Sequence, residues 1–232
     1  MLSSEAPGPV KKPPVVNQAS SSPRKDSSEK SGNRSGVTFD KIMTEKLWKN
    51  LIRELTRYRD AALNSGKELK YVHDYYLLSL GWMTGLRVSE VSNLNWGDIS
   101  QDQWLKVRQG KGSRDRIVYF GARTERLLSD YQAFKISRGL SCRVDDPVFT
   151  GIRGGRLGRG GIHYRMKFWV RTTGLSESLS YHSLRHGFAT RMLNQGIKLH
   201  DLKAVMGHQN IATTSIYLHF TEESREAFRR IL

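Results

Sequence analysis

Apolar positions in this chain recur in two different rhythms. Leu47, Leu51, Leu55, Tyr58 and Ala62 follow one another at spacings of three and four, the period of a helix with one buried face, and Gly66 stands where such a helix stops. The helical pattern begins at Thr38. A second helix is predicted at about 70–83, ending before Thr84-Gly85, and a short one at about 88–94. The rhythm then changes. Trp104–Arg108 and Arg116–Phe120 read as strands, and Gly110-Lys111-Gly112-Ser113 between them is a hairpin signal. Helix resumes at about 123–138 and stops at Gly139, and Pro147-Val148-Phe149 reads as a short third strand. The Gly- and Arg-rich residues 151–161 read as a loop, followed by helices at about 162–173, 183–195, 199–206, 211–219 and 222–231. No segment repeats. The class is α+β, mostly α-helical with a small antiparallel β-sheet set apart from the helices.

Residues 1–37 do not fit either rhythm. They are rich in Ser, Pro, Lys and Gly and almost free of large apolar side chains, so they cannot bury enough surface to offset the entropy of ordering, and disorder is expected. The folded domain is expected at 38–232. Charge sharpens the picture: 38 basic residues oppose 22 acidic ones, a net +16, and +13 of that lies in the domain and only +3 in the tail. Such a field draws a polyanion, with nucleic acid ahead of an anionic membrane, because neither a lipidation signal nor an amphipathic membrane face is evident. Cys142 is the sole cysteine, so neither a disulfide framework nor a Cys-based zinc site can be built. With no run of membrane-helix length and no signal-peptide core, a cytoplasmic, nucleoid-associated protein is expected.

The residues that carry chemistry concentrate in Tyr181–Tyr217. His182, Arg185 and His186 share one face at a helix start, an end that favours anions through its unpaired N–H groups and dipole. His208 follows Gly207, and Tyr217 comes nine positions later; taken alone, a Tyr between Ile216 and Leu218 reads as a buried aromatic. Upstream, Arg87 offers a planar fork matched to phosphate oxygens, with Glu90 three residues on as its partner on the same face. Lys111 sits at the hairpin tip between glycines, where it is either a solvated turn lysine or a proton donor, with Arg114 and Arg116 close by. A histidine metal site is disfavoured, because the interleaved residues are cationic and supporting carboxylates are scarce. The run GIRGGRLGRGG lacks the GK[ST] ending of a phosphate-binding loop.

Four motifs in order, TGLRVSE, GKGSRDR, HSLRH and VMGHQNIATTSIY, resemble the tyrosine recombinases, the phage-integrase and Xer-type site-specific recombinases, over roughly residues 40–232. The resemblance implies the catalytic-domain fold of that family and a cofactor-free, metal-free reaction. It implies catalytic roles for Arg87, Lys111, His182, Arg185, His208 and Tyr217, with Tyr217 as nucleophile and Lys111 as general acid. Glu90 would buttress Arg87, His186 would stand behind the site, and Arg114 and Arg116 would contact the DNA backbone. A double-stranded recombination site and a homo-oligomer, a tetramer on DNA, are the implied partners, with no membrane. Two departures stand out. The family commonly has Thr where this chain has Gly187, a change expected to loosen the helix start. Typical members also carry a helical core-binding domain ahead of the catalytic one, whereas residues 1–37 show no sign of one. Two other readings share the residues: a DNA-binding accessory protein with the fold but no recombination, and a type IB topoisomerase-like enzyme.

Overall fold

In the computed structural model, residues 38–108, 115–151 and 154–207 are described. The tail 1–37, the hairpin tip 109–114 and the helices expected at 211–219 and 222–231 lie outside the described residues. A 3₁₀ turn at Phe39–Lys41 leads into α1 (Glu45–Ser65), so the first regular helix begins later than Thr38. Thr44 caps it, its hydroxyl accepting from the Leu47 amide, and Gly66 ends it in the left-handed region. The buried stripe is Trp48, Leu51, Leu55, Tyr58 and Ala62, with Trp48 in the place predicted for Leu47, which is half-buried.

α2 (Lys70–Thr84) is buried on nearly every side and packs against α1, α4 (Ala122–Ser137) and α6 (Tyr181–Asn194). A helix apolar all round belongs at the centre of a helical domain, and α2 is that spine. It also carries a buried carboxylate. Asp74 accepts from Arg165 at 2.7 Å and from the Trp169 indole N–H at 2.9 Å, both on α5 (Arg159–Thr172). Around it Tyr58, Tyr71, Phe168 and Trp169 meet ring to ring. Two further helices are short, α3 (Val88–Asn93) and α7 (Leu199–Met206).

Among the described residues the sheet is one antiparallel pair, β1 (Trp104–Val107) and β2 (Arg116–Tyr119), in the register Trp104↔Tyr119, Leu105↔Val118, Lys106↔Ile117 and Val107↔Arg116. Leu105, Val107 and Val118 face the core; Lys106, Ile117 and Tyr119 face outward. The third strand expected at Pro147-Val148-Phe149 does not form. Pro147 makes only an isolated bridge to Asn95, and the carbonyls of Pro147 and Val148 accept instead from the buried ammonium of Lys135, each at 3.1 Å. Carbonyls committed to a buried cation are lost to a ladder. α5 begins three residues earlier than the expected 162, within the segment read as loop.

Gly187 does not loosen α6, which runs unbroken from Tyr181 to Asn194. It sits where the helix meets the chain entering α1: a Cβ there would lie 2.1 Å from the Met43 carbonyl oxygen and 2.6 Å from the Trp82 ring. Trp82 is itself stacked on Trp48 at 5.0 Å, so the ring has little room to withdraw. At an exposed helix position Gly→Ala gains about 0.5–1 kcal/mol. Overpacking costs about 1–3 kcal/mol and prevails here. Gly187→Ala is therefore expected to destabilise the protein by about 1–2 kcal/mol net, and Gly187→Thr by more. Urea unfolding of the two variants checks this; stabilisation by alanine would contradict the packing.

Candidate active site

The site is built around one buried carboxylate. Glu90 lies in the first turn of α3, where its Oε2 accepts from the Arg87 backbone N–H at 2.7 Å and so caps the helix start. The Arg87 side chain folds back onto it, Nη1 to Oε1 at 2.8 Å. Arg116 reaches over from β2 and takes both oxygens, Nη1 to Oε1 at 2.7 Å and Nη2 to Oε2 at 3.0 Å. Arg185, from the second turn of α6, brings Nη1 to 4.0 Å of Oε2. Three guanidinium groups from three elements thus meet one carboxylate whose side chain is 8 % exposed.

The same three arginines hold the end of α7. Arg116 Nε donates to the Val205 carbonyl at 3.0 Å, Arg185 Nη2 to Met206 at 2.5 Å, and Arg87 Nη2 to Gly207 at 2.9 Å. The last carbonyls of a helix lack intrahelical donors and carry its negative pole, so cations are favoured there. Gly207 closes α7 with φ +62°, and a Cβ on it would fall 3.0 Å from Cδ and Nε of Arg116. The Arg87 hydrogen bond therefore fixes the peptide that leads directly into His208, a residue outside the described ones.

Burial alone would raise the Glu90 pKa. The hydrogen bonds and charge of Arg116, followed by those of Arg87, outweigh it and bring the group down to about 2. The histidines move the other way from an acid's partner. His182, exposed at the start of α6, is lowered by partial burial of its ring and then by the charges of Arg185, Arg87 and His163. His186 is lowered to about 4, by burial first and then by His182, Arg185 and Lys41. In both, the shift favours the uncharged ring. Among the described residues no three His, Cys, Asp or Glu side chains gather as a metal's ligands would, and no helix is long and apolar enough to cross a membrane.

The structure brings together Arg87, Glu90, His182, Arg185 and His186. Lys111, Arg114, His208 and Tyr217 lie outside the described residues. Arg116 departs from expectation. Expected on the DNA backbone, it points inward, 11 % exposed and hydrogen-bonded to Glu90 and Val205. The cause is the period of two. In Arg116-Ile117-Val118-Tyr119 the arginine shares the inward face with Val118, opposite Val107. That alternation was legible in the chain, but an arginine flanking a glycine-rich turn draws the eye to solvent. The grip on α7 carried no sequence signal, because its acceptors are main-chain carbonyls.

Residues 45–224 match the phage integrase family, and the chain belongs to that family. Its curated relatives include the tyrosine recombinase XerD of Proteus mirabilis, 34 % identical over 186 residues, which span 78 % of this chain and 59 % of that protein. The tyrosine recombinase XerC of Corynebacterium efficiens is 31 % identical over 208 residues, 87 % of this chain and 65 % of the relative. The chain thus spans less than two thirds of the length of either relative. Among solved structures, the XerA recombinase superposes with a TM-score of 0.65 at 29 % identity, over 82 % of this chain and 64 % of that one. The XerH recombinase in a post-cleavage complex with its difH substrate superposes at 0.67, over 84 % of this chain and 54 % of that one; at 22 % identity that likeness concerns the fold alone.

The carboxylate at the centre makes a pH prediction. The Glu90 pKa is lowered on folding, from 4.5 to about 2, so its contribution is present above the unfolded value and is lost as pH falls toward the folded one. Between those limits the unfolded chain binds a proton that the folded one does not, a slope of about 1.4 kcal/mol per pH unit. Urea unfolding between pH 3 and 6 is expected to show a shallower acid limb for Glu90→Gln than for the parent protein. Parallel limbs would mean that Glu90 is not the carboxylate held down.

Proposed function

We propose that this chain carries the catalytic domain of a site-specific tyrosine recombinase, acting on double-stranded DNA in the cytoplasm at the nucleoid. The observation that supports it most is the gathering of the Arg87 and Arg185 forks at the end of α7, directly before His208, with His182 in the field of both arginines. Arginine forks match the oxygens of a phosphodiester. Arg87 keeps 32 % of its side chain exposed and spends two of its five N–H donors on Glu90 and Gly207. A net +16 chain supplies the long-range attraction to DNA.

In this reading the Tyr217 phenol oxygen attacks the scissile phosphorus. A phosphotyrosine bond forms at the 3′ side and the bond to the 5′ oxygen breaks. A neutral His182 can take the phenol proton, and Lys111 supplies the proton that the leaving 5′ oxygen needs. Arg87, Arg185 and His208 stabilise the charge on the non-bridging oxygens. The energy of the cleaved bond stays in the phosphotyrosine, so a second 5′-hydroxyl can reverse the step on a partner strand. Integration, excision or inversion would follow from how sites are paired in a tetramer. No metal or cofactor takes part.

Nicked duplexes with randomised sequence around the nick test this, because loss of the short 5′ fragment traps the covalent adduct. The 232-residue chain is expected to yield adducts that survive SDS, with and without EDTA. An accessory DNA-binding protein would yield none, and a type IB topoisomerase-like enzyme would show weak dependence on sequence. Tyr217→Phe is expected to retain DNA binding and lose the adduct; a Phe variant that still couples to DNA would remove Tyr217 from the mechanism.

Lys111 has its own test. A bridging 5′-phosphorothiolate leaves as a thiolate and needs no acid, since a thiol's pKa is about 8.5. It is expected to restore cleavage by Lys111→Ala but not by Arg185→Ala, whose loss should cost about 10²–10³ in rate. Equal rescue of both variants, or of neither, would assign the proton to another group.

A further inference from the structure

Arg116 is the arginine of the cluster to which no chemical role falls. It makes the closest and most symmetrical pairing with Glu90, 2.7 and 3.0 Å. It adds a third bond to Val205, at 3.0 Å, and its stem lies beneath Gly207. With 11 % of its side chain exposed it is not presented to a ligand. It stands on the strand that follows the hairpin tip, five residues after Lys111. One side chain therefore ties the hairpin to α3 and to the end of α7.

Its effect on the neighbouring forks follows from charge balance. A buried carboxylate must be paired. With Arg116 present, both oxygens of Glu90 are saturated. The Arg87 side chain then donates once to Glu90 and once to Gly207, while Arg185 stands 4.0 Å off and donates to the Gly85 and Met206 carbonyls. Without Arg116, the nearest replacement donors are those of Arg185 and Arg87. Drawing either fork onto Glu90 pulls it from the carbonyls that orient it and neutralises part of its charge.

We propose that Arg116 is a positioning residue: by occupying both oxygens of Glu90 and the Val205 carbonyl, it holds the Arg87 and Arg185 forks in place without touching DNA. This rests on the recombinase reading for its kinetic consequence, though not for its structural one. Because the fork geometry matters, lysine does not substitute; it brings one point charge where two parallel hydrogen bonds are needed.

The experiment uses the full chain and a nicked duplex that yields adduct with the parent protein. Arg116→Met is expected to slow adduct formation at saturating DNA by about 10²-fold, the scale of a small misplacement of reacting groups. The DNA concentration for half-maximal rate and its salt dependence should hold. Arg116→Lys should remain slow. Adding Glu90→Gln to Arg116→Met should recover part of the rate, because the carboxylate that captures the forks is gone; a purely structural role would make the second change additive or worse. Circular dichroism melts set the folded fraction to which rates are normalised.

A normalised rate equal to the parent's, or full recovery by lysine, overturns the proposal. So does a salt slope reduced by about one at unchanged maximal rate, which is the signature of a phosphate contact. If the parent protein gives no adduct with any duplex, the recombinase reading falls and a second measurement decides Arg116. The Nε–Hε NMR signals of Arg87 and Arg185, each assigned by its own Lys variant, should shift or broaden in Arg116→Met. Unmoved signals overturn the positioning role whatever the reaction.

Discussion

The arrangement depends on a single buried negative charge. Removing Glu90 from water is costly, and three guanidinium groups offset that cost with hydrogen bonds as well as charge. The converse holds equally. Arg87, Arg116 and Arg185 would repel one another at this separation were no carboxylate between them. One negative against three positive charges leaves a local excess of positive charge, which suits a site for an anion. It also leaves each arginine oriented by a second acceptor, since the last three carbonyls of the α7 segment take one N–H each. Helix end, carboxylate and forks are therefore mutually determined.

The helical core supplies the rigidity that this balance needs. α2 runs through the middle, and its own buried carboxylate, Asp74, is satisfied by Arg165 and Trp169 in a shell of aromatic rings. Burial raises the Asp74 pKa while Arg165 and Trp169 act against it. Two of the buried acids thus shift in opposite directions. Asp74 is bonded by Arg165 and the Trp169 indole, with Lys70 acting from further off, and stays raised; Glu90 has three guanidinium groups around it and falls to about 2. Deeper burial prevails at Asp74, and the denser set of guanidinium partners prevails at Glu90.

The proposed chemistry draws on two observations, membership of the phage integrase family and the geometry of the cationic cluster. The family match rests on sequence across residues 45–224. The cluster rests on geometry that needs no relative: arginine forks gathered at a helix end, neutral imidazoles in the first turns of α6, and a glycine at the end of α7 that leads directly into His208. Burial and the neighbouring arginines favour the uncharged form of both rings, while the arginines keep the charge.

Much of this was legible in the chain itself. The three-and-four spacing of Leu51, Leu55, Tyr58 and Ala62 specified α1, and Gly66 and Gly139 marked helix ends, because those signals are local and act through backbone geometry. The pairing of β1 with β2 was equally local. Arg87, Glu90, His182 and Arg185, which the fold gathers at the candidate site, had been singled out in the chain by their motifs. What the chain alone did not disclose were relations between distant segments. Whether Pro147–Phe149 became a strand was decided by the Lys135 ammonium, which claims its carbonyls. Whether Gly187 weakened a helix or admitted a neighbour was decided by Met43 and Trp82. Whether Arg116 met solvent or Glu90 was decided by the fold that brings β2 over α3 and α7. Backbone periodicity and turn chemistry are properties of a few consecutive residues and survive in sequence. The partner of a buried charge is fixed by which surfaces the packed helices bring together, so only the tertiary structure decides it.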